Sequence, residues 1–264
     1  TGFGQQALAK LTTGGTNTAL GSNALETNTT GASNTALGFG SLDANTTASN
    51  NTAVGTNSMG ANTTGTSNVG VGRHALLLNT TGDSNVAVGL NSLAANTTAD
   101  NNTAVGNASL TANTTGTGNS ALGKGSLAAN TTASYNTGIG ENTLLANTTG
   151  ASNTAVGNTA LTANTTGAQN TAVGTSAGVA LTTGGSNVAV GFEALKNEDA
   201  HGLNTAIGTQ ALFAQNAGAN AYNVGVGFQA GAAITTGTLN TLVGALTGDA
   251  ITTGASNTAV GYNS

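Results

Sequence analysis

Cysteine, proline and tryptophan are absent from this chain of 264 residues, and only 5% of it is charged. Without cysteine there are no disulfides and no thiolate metal sites, although the compartment stays open. So little charge beside 38% hydrophobic residues is unlike a charged, solvated disordered tail. The basic residues, Lys10, Arg73, Lys124 and Lys196, lie far apart, and the net charge of −5 is thinly spread. Nucleic acid, which needs clustered Lys and Arg, is therefore excluded as a partner. Apolar runs reach only a few residues, against about 20 for a transmembrane helix, so membrane insertion is not expected. No signal peptide is visible, and the chain opens on Thr1 inside a repeat.

What is present is small and periodic. The hydrophobic residues are mostly Ala, Val and Leu, suited to a narrow core repeated many times rather than a bulky one. If the Asn that opens each phrase is position 1, it falls at Asn17, Asn34 and every 17 residues to Asn204. After one step of 19 residues it continues at Asn223, Asn240 and Asn257. The Gly at position 5 recurs in every copy, from Gly4 through Gly106 to Gly261. Residues 1–264 thus read as one repeat array, cut within a repeat at both ends, with an irregular region at 196–222 that contains the two-residue insertion.

Helix is a poor reading of this unit, because a recurring Gly costs about 1 kcal/mol each time in a helix. The segment N-T-A-V-G alternates and stops at Gly, as a short strand ending in a turn does. A second short extended segment, A-L-x-A-N, is predicted two residues later, and T-T-G-x-x closes the unit. Neither Asn-Gly nor Asp-Gly occurs, so the strongest tight-hairpin signal is missing. The fold class expected is all-β: a parallel β-solenoid, or β-roll, of about 15 coils of 17 residues. Coils about 4.8 Å apart would make a rod roughly 70 Å long.

Comparison among the copies assigns faces. Position 9 is usually Leu (Leu25, Leu93, Leu161) and position 12 Asn, but three copies reverse this. Gly178 comes with Leu181, Gly231 with Ile234 and Gly248 with Ile251. Close-packed interiors best tolerate volume-conserving exchange, so both positions are expected to face one narrow interior. Leu8 with Leu11 departs from the trade and reads as an end effect. Asn28, Asn45, Asn62, Asn79, Asn96, Asn113, Asn130, Asn147 and Asn164 would then stack as an internal ladder of amides. Each N-T-T is formally a glycosylation sequon, a reading that burial of the Asn would remove. Position 3, Ala or Gly in nearly every copy, is assigned to the interior, and position 4, always Val, Leu or Ile after the first copy, to the opposite face. A stripe of position-4 side chains on a monomer is a long exposed apolar patch, which suggests a homo-oligomer about a long axis.

At this point the residues carry a resemblance. N-T-A-V-G-x-x-A-L resembles the Asn-Ser-Val-Ala-Ile-Gly-x-x-Ser/Ala repeats of trimeric autotransporter adhesin heads. The 17-residue form with N-T-T-G is similar to repeat arrays in phage and phage-like tail fibres, where it commonly precedes a self-cleaving intramolecular chaperone domain. The resemblance spans the chain and brings no catalytic residues. It implies a trimeric, left-handed parallel β-roll acting as a fibre shaft or surface adhesin, placed extracellularly, on a cell surface or in a virion. The adhesin repeats are usually shorter, and no neck, coiled coil, anchor or chaperone segment is seen here.

Chemistry is scarce. His74 and His201 lie in different coils, the G-x-G pairs at Gly70–Gly72 and Gly225–Gly227 precede no helix, and calcium-binding patterns are absent. No catalytic activity, cofactor or metal is expected. In K-N-E-D-A-H-G-L (196–203), Lys196, Glu198, Asp199 and His201 stand where N-T-T-G is usual. A charged loop bulging from a neutral rod is the preferred reading, and a cation or ligand site the alternative. Positions 6 and 7 vary most, with Phe39, Arg73, His74, Lys124, Glu141, Phe192, Glu193, Phe228 and Tyr262 among them. They read as an outward ridge, either a tolerant solvent edge or a contact surface for a host or cell-surface glycan or protein receptor. The function expected is a structural fibre protein, a rigid shaft or head of a phage-like tail fibre or adhesin. The alternatives are an extracellular filament joined end to end, which would cap its mid-coil ends, and ice or glycan binding by Thr ranks such as Thr46–Thr47 and Thr63–Thr64.

Overall fold

A computed structural model describes residues 1–264 as strands and turns without a helix. No helix is therefore long and apolar enough to cross a membrane. The chain divides into two compact units, Thr1–Ser134 and Tyr135–Ser264. The first holds β1 (Gly2–Phe3), β2 (Thr18–Leu20), β3 (Thr35–Leu37), β4 (Thr52–Val54), β5 (Val69–Val71), β6 (Val86–Val88), β7 (Thr103–Val105) and β8 (Ser120–Leu122). Each pairs in parallel with the next in sequence, Ala53 against Gly70 and Gly70 against Ala87. The second unit holds β9 (Thr137–Ile139), β10 (Thr154–Val156), β11 (Thr171–Val173), β12 (Val188–Val190), β13 (Thr205–Ile207), β14 (Val224–Val226), β15 (Thr241–Val243) and β16 (Thr258–Val260). It is built in the same way, and the two-residue insertion leaves the register intact: Thr205 pairs Val224 as Val188 pairs Thr205. Both units are parallel β-solenoids with one strand per coil, together about 15 coils of 17-residue period.

The strand reads as its alternation implies. Position 3 is buried in nearly every coil, while positions 2 and 4 on either side are exposed or half-exposed. The chain then turns at the position-5 Gly, where φ is strongly positive. At Gly106 (φ 136°) a Cβ would lie 2.5 Å from the carbonyl oxygen of Gly123 in the adjoining coil. Both the backbone region and the close approach therefore exclude a side chain.

The second segment corrects the expectation of two strands per coil. A-L-x-A-N is a run of turns, and its Leu adopts the left-handed conformation, φ 52° at Leu25 and 50° at Leu93. Position 7 does the same, as at Asn23 (φ 60°) and Asn57 (φ 52°). Alternating signs of φ at positions 6 to 9 fold the chain back within four residues, which an extended strand cannot do. A left-handed Leu costs about 1–2 kcal/mol, and burying its side chain returns about 1.5–3 kcal/mol. The turn backbone also stays paired: Leu25 N–H donates to Ser41 O (3.0 Å) and Thr27 N–H to Asp43 O (3.1 Å) in the next coil. Hydrogen bonding between coils thus continues well beyond the three-residue strands, and no buried amide run is left unmet.

Each interior is narrow. Leu25, Leu42, Leu93 and Leu161 are fully buried, as are the position-3 and position-8 alanines around them. The exchange between positions 9 and 12 is a packing trade: a Cβ on Gly178 would lie 2.9 Å from Leu181 Cδ1 and 3.1 Å from Leu161 Cδ2. Leu242 is a third participant, the one Leu among the position-3 residues. Its Cδ1 lies 2.8 Å from where a Cβ would sit on either Gly231 or Gly248. In the first coil Leu8 is half-buried and Leu11 is 36% exposed, so the two do not compete for the same interior space.

Candidate functional site

Position 12 faces inward, and all nine of the asparagines from Asn28 to Asn164 are fully buried. In the first unit Asn45 Nδ2 donates to Asn28 Oδ1 (2.8 Å), Asn62 to Asn45 (3.2 Å) and Asn79 to Asn62 (2.8 Å). The series continues from Asn96 to Asn79 (2.8 Å), Asn113 to Asn96 (3.1 Å) and Asn130 to Asn113 (2.8 Å). In the second unit Asn164 donates to Asn147 Oδ1 (2.8 Å). Each amide also donates to the carbonyl three residues on, as Asn79 does to Gly82 O (2.9 Å). Amides engaged inside the coil are closed to glycosylation in the folded chain.

A second ladder, at position 1, escaped the reading of the sequence, which used this Asn only to mark the repeat. Asn51 Oδ1 accepts from the backbone N–H of Asn68 (2.9 Å) in the next coil. Its Nδ2 donates to Gly65 O (2.8 Å), 14 residues on. The pattern repeats from Asn17 to Asn240, except that Asn204 Nδ2 has no partner, and it fixes the corner that precedes each strand from β2 onward. Its signal was the presence of Asn in every copy, where a marker alone would tolerate Ser or Thr.

Outside, the position-4 side chains form an apolar rank in each unit. Leu20, Leu37 and Leu122 in the first, and Ile139, Val173, Ile207 and Val243 in the second, are between 36% and 49% exposed. On the ridge, Phe39, Arg73, Lys124, Glu141, Phe192, Phe228 and Tyr262 at position 6 are exposed. Position 7 differs from that expectation: His74 and Glu193 are only half-buried or partly covered, at φ 59° and 54°. The left-handed turn lays position 7 along the coil face, where its side chains meet those of the next coil. Glu193 Oε2 accepts from Gln210 Nε2 (2.9 Å), whose Oε1 accepts from Gln229 Nε2 (2.8 Å). Lys196 Nζ lies 2.6 Å from Glu193 Oε1, and this pairing chiefly holds the Glu193 carboxyl below the usual range.

The Thr ranks are not pairs of free hydroxyls. The first Thr of most pairs is half-buried, Thr12, Thr235 and Thr252 being exposed, and its hydroxyl typically donates to a carbonyl of the next coil, as Thr63 Oγ1 does to Thr80 O (3.0 Å). In the half-buried pairs only the second, such as Thr64, is exposed.

The segment 196–203 is not a bulge. Its coil keeps 17 residues, so Glu198 falls on position 12 and points inward, its side chain fully buried. Burial is the leading cause that pushes its carboxyl above the usual range. Asp199 is exposed, and His201 takes the place usually held by Gly or Ala at position 15. Elsewhere, a shallow open depression lined by Asp43, Asn57, Gly60, Ala61, Leu77 and Leu78 offers a single titratable side chain.

The fold and its faces define a tandem-repeat parallel β-solenoid. Comparison with protein-family models, with curated proteins and with solved structures finds no match to the chain.

Proposed function

We propose that the chain is a structural protein without catalytic activity, the rigid shaft or head of a phage-like fibre or cell-surface adhesin that assembles as a homotrimer. The observation that carries this reading is the rank of half-exposed Leu, Ile and Val at position 4. Side chains repeating about every 4.8 Å along a strand face make an apolar strip that water disfavours. A second and third copy of the same chain bury it with matching periodicity. The trimer, its left-handed winding and its placement outside the cell or on a virion follow the resemblance of N-T-A-V-G-x-x-A-L to adhesin and tail-fibre repeats. In this arrangement the exposed position-6 residues, Phe39, Phe192 and Phe228 among them, form the surface offered to a glycan or protein receptor. The ice-binding reading has less support, since most Thr pairs keep one exposed hydroxyl where two were required, and the rank is interrupted at Asp199–Ala200 and Asn216–Ala217.

Solution mass tests the proposal directly. Light scattering at micromolar concentration should give about three times the chain mass of 25.0 kDa. Open-ended polymers of uncapped size would favour the end-to-end filament instead, and a monomer would overturn assembly through the stripe. Val156→Glu, which places a charge on the half-exposed rank without touching the interior, should dissociate the trimer while the β-sheet circular dichroism stays unchanged.

A further inference from the structure

Four of the five buried side-chain polar atoms without a hydrogen-bond partner fall within one stretch of the second unit: Glu198 Oε2, His201 Nδ1, Asn204 Nδ2 and Gln215 Nε2. The fifth, Asn164 Oδ1, marks the point where Leu181 in the next coil ends the amide ladder. The concentration at 198–215 has a chemical origin. An Asn at position 12 donates both to the rung before it and to the position-15 carbonyl of its own coil. A Glu there has no N–H, and the rung before it is Leu181. Glu198 therefore reverses the local polarity: Oε1 accepts from the backbone N–H of His201 (3.2 Å), and Oε2, inside a fully buried side chain, makes no hydrogen bond of ordinary geometry, although the backbone N–H of Ala217 faces the carboxyl from the next coil. A buried carboxylate oxygen in that state is destabilising until it finds a partner.

The neighbouring side chains gather around it. His201 Nδ1 lies 3.6 Å from Glu198 Oε1 and has no hydrogen bond of its own. One ligand atom each of Glu198, Asp199 and His201 lie within 4.8 Å of one another, the only such group of three in the chain. A separation of 3.6 Å is long for a hydrogen bond. It is close to the roughly 3.4 Å between two ligands of a tetrahedral ion bound at about 2.1 Å. Asp199, being exposed, is free to close the remaining distance by rotation. Lys196, the one nearby cation, is held by Glu193 and lies over the Phe213 ring at 5.3 Å, so it leaves the two carboxylates unneutralised.

We propose that Glu198, Asp199 and His201 bind a divalent transition-metal ion of the zinc type, with the fourth position open to water. One imidazole and two carboxylates are a donor set for such an ion. Bound there, it gives the Glu198 carboxylate and His201 Nδ1 a shared partner and clips the coil closed across the place where the amide ladder has ended. The site is a structural clip, and it stands whether or not the chain forms trimers.

Isothermal titration of the full, chelator-treated chain with zinc chloride should give one saturable event per chain. His201→Ala and Asp199→Asn, at positions that do not fill the interior, should each weaken it at least tenfold while the metal-free melting temperature holds. Glu198→Gln, which keeps the shape and restores an N–H, should remove it. Cobalt(II) in place of zinc should give the intense visible bands of a tetrahedral ion. His74→Ala should leave binding intact. Absence of saturable zinc binding would overturn the site, as would binding that survives both His201→Ala and Asp199→Asn. Calcium competing equally with zinc would overturn the role given to the imidazole.

Discussion

The position-12 rank differs between the two units. In the first, after Leu11 in the opening coil, it is one residue type, Asn28 to Asn130, and each amide from Asn45 onward makes the same pair of bonds. In the second it runs Asn147, Asn164, Leu181, Glu198, Gln215, Ile234 and Ile251. The strands in both units nevertheless pair in the same register. The frame of the coil is therefore set elsewhere, by the position-5 Gly and the position-1 Asn, which do not vary. Position 12 carries contents: an amide that extends a ladder, an apolar group that takes the space of a missing Leu, or an acid that finds no donor. Each is tolerated with a particular set of neighbours, and the contrast between units is a contrast between sets.

Transplanting one set into the other unit gives the largest expected effect. Asn79→Leu removes the donor to Asn62 Oδ1 and to Gly82 O and places a bulky group against Leu76. Two unmet acceptors at about 1–3 kcal/mol each, with overpacking at about 1–3 kcal/mol, predict a loss of about 3–9 kcal/mol. Adding Leu76→Gly reproduces the Gly178 and Leu181 pairing and should recover the packing part, about a third. Because repeat arrays open locally, amide hydrogen exchange across residues 62–99 is the suitable measurement. Strictly additive effects would show that positions 9 and 12 do not share an interior.

A smaller loss should be equal in both units. Gly106→Ala and Gly174→Ala each force a side chain onto a backbone at φ above 130°, with the new Cβ 2.5 Å from a neighbouring carbonyl oxygen. Each should cost about 2 kcal/mol or more, read from chemical denaturation midpoints. Markedly unequal costs would mean that the frame itself, and not only its contents, differs between the units.

Much of the frame was legible in the residues. The 17-residue step set the coil, the β-branched alternation of N-T-A-V-G set the strand, and the exchange of Gly178 with Leu181 set the interior. The turn run was not legible, because Leu disfavours positive φ and so A-L-x-A-N reads as extended. A signal lay beside it: Asn and Gly recur at position 7 (Asn23, Gly40, Asn57, Asn91, Gly125), the residue types most at ease in the left-handed region. The inward placement of Glu198 was hidden for a different reason. Composition marks four polar residues as a surface loop, whereas the count of 17 puts one of them on the ladder.

Repairing that rung should have a modest effect of opposite sign. In metal-free buffer Glu198→Gln replaces a buried, unpartnered carboxylate with a neutral amide of the same length, which removes the buried charge. Stability should rise by about 1–3 kcal/mol, seen as a higher denaturation midpoint. A loss would mean that the carboxylate already has a partner in solution. The same substitution at Glu193, which is bonded to Lys196 and Gln210, should lower stability slightly.

The smallest effects concern acidity, and the units should differ in sign. Asp43, in the first unit, is pushed above the usual carboxylate range, chiefly by burial and further by the neighbouring Glu26. An acid whose pKa is raised by folding holds its proton more tightly in the native state. Its penalty is therefore present above the folded pKa and vanishes as pH falls to the ordinary Asp value of about 3.9. Glu193, in the second unit, is held low by Lys196 and Gln210, so its contribution is present above the ordinary Glu value of about 4.3 and is lost as pH falls through its lowered folded pKa. Both groups are only partly covered, so solvent still screens them. Carboxyl carbon shifts followed by NMR should show Asp43 titrating at higher pH than an ordinary Asp, and Glu193 at lower pH than an ordinary Glu. Denaturation midpoints at pH 7 and pH 4 should then converge in opposite directions for Asp43→Asn and Glu193→Gln, relative to the parent chain. A shared direction would mean that the Lys196 pairing does not persist in solution, and that the ridge of the second unit is as loosely held as that of the first.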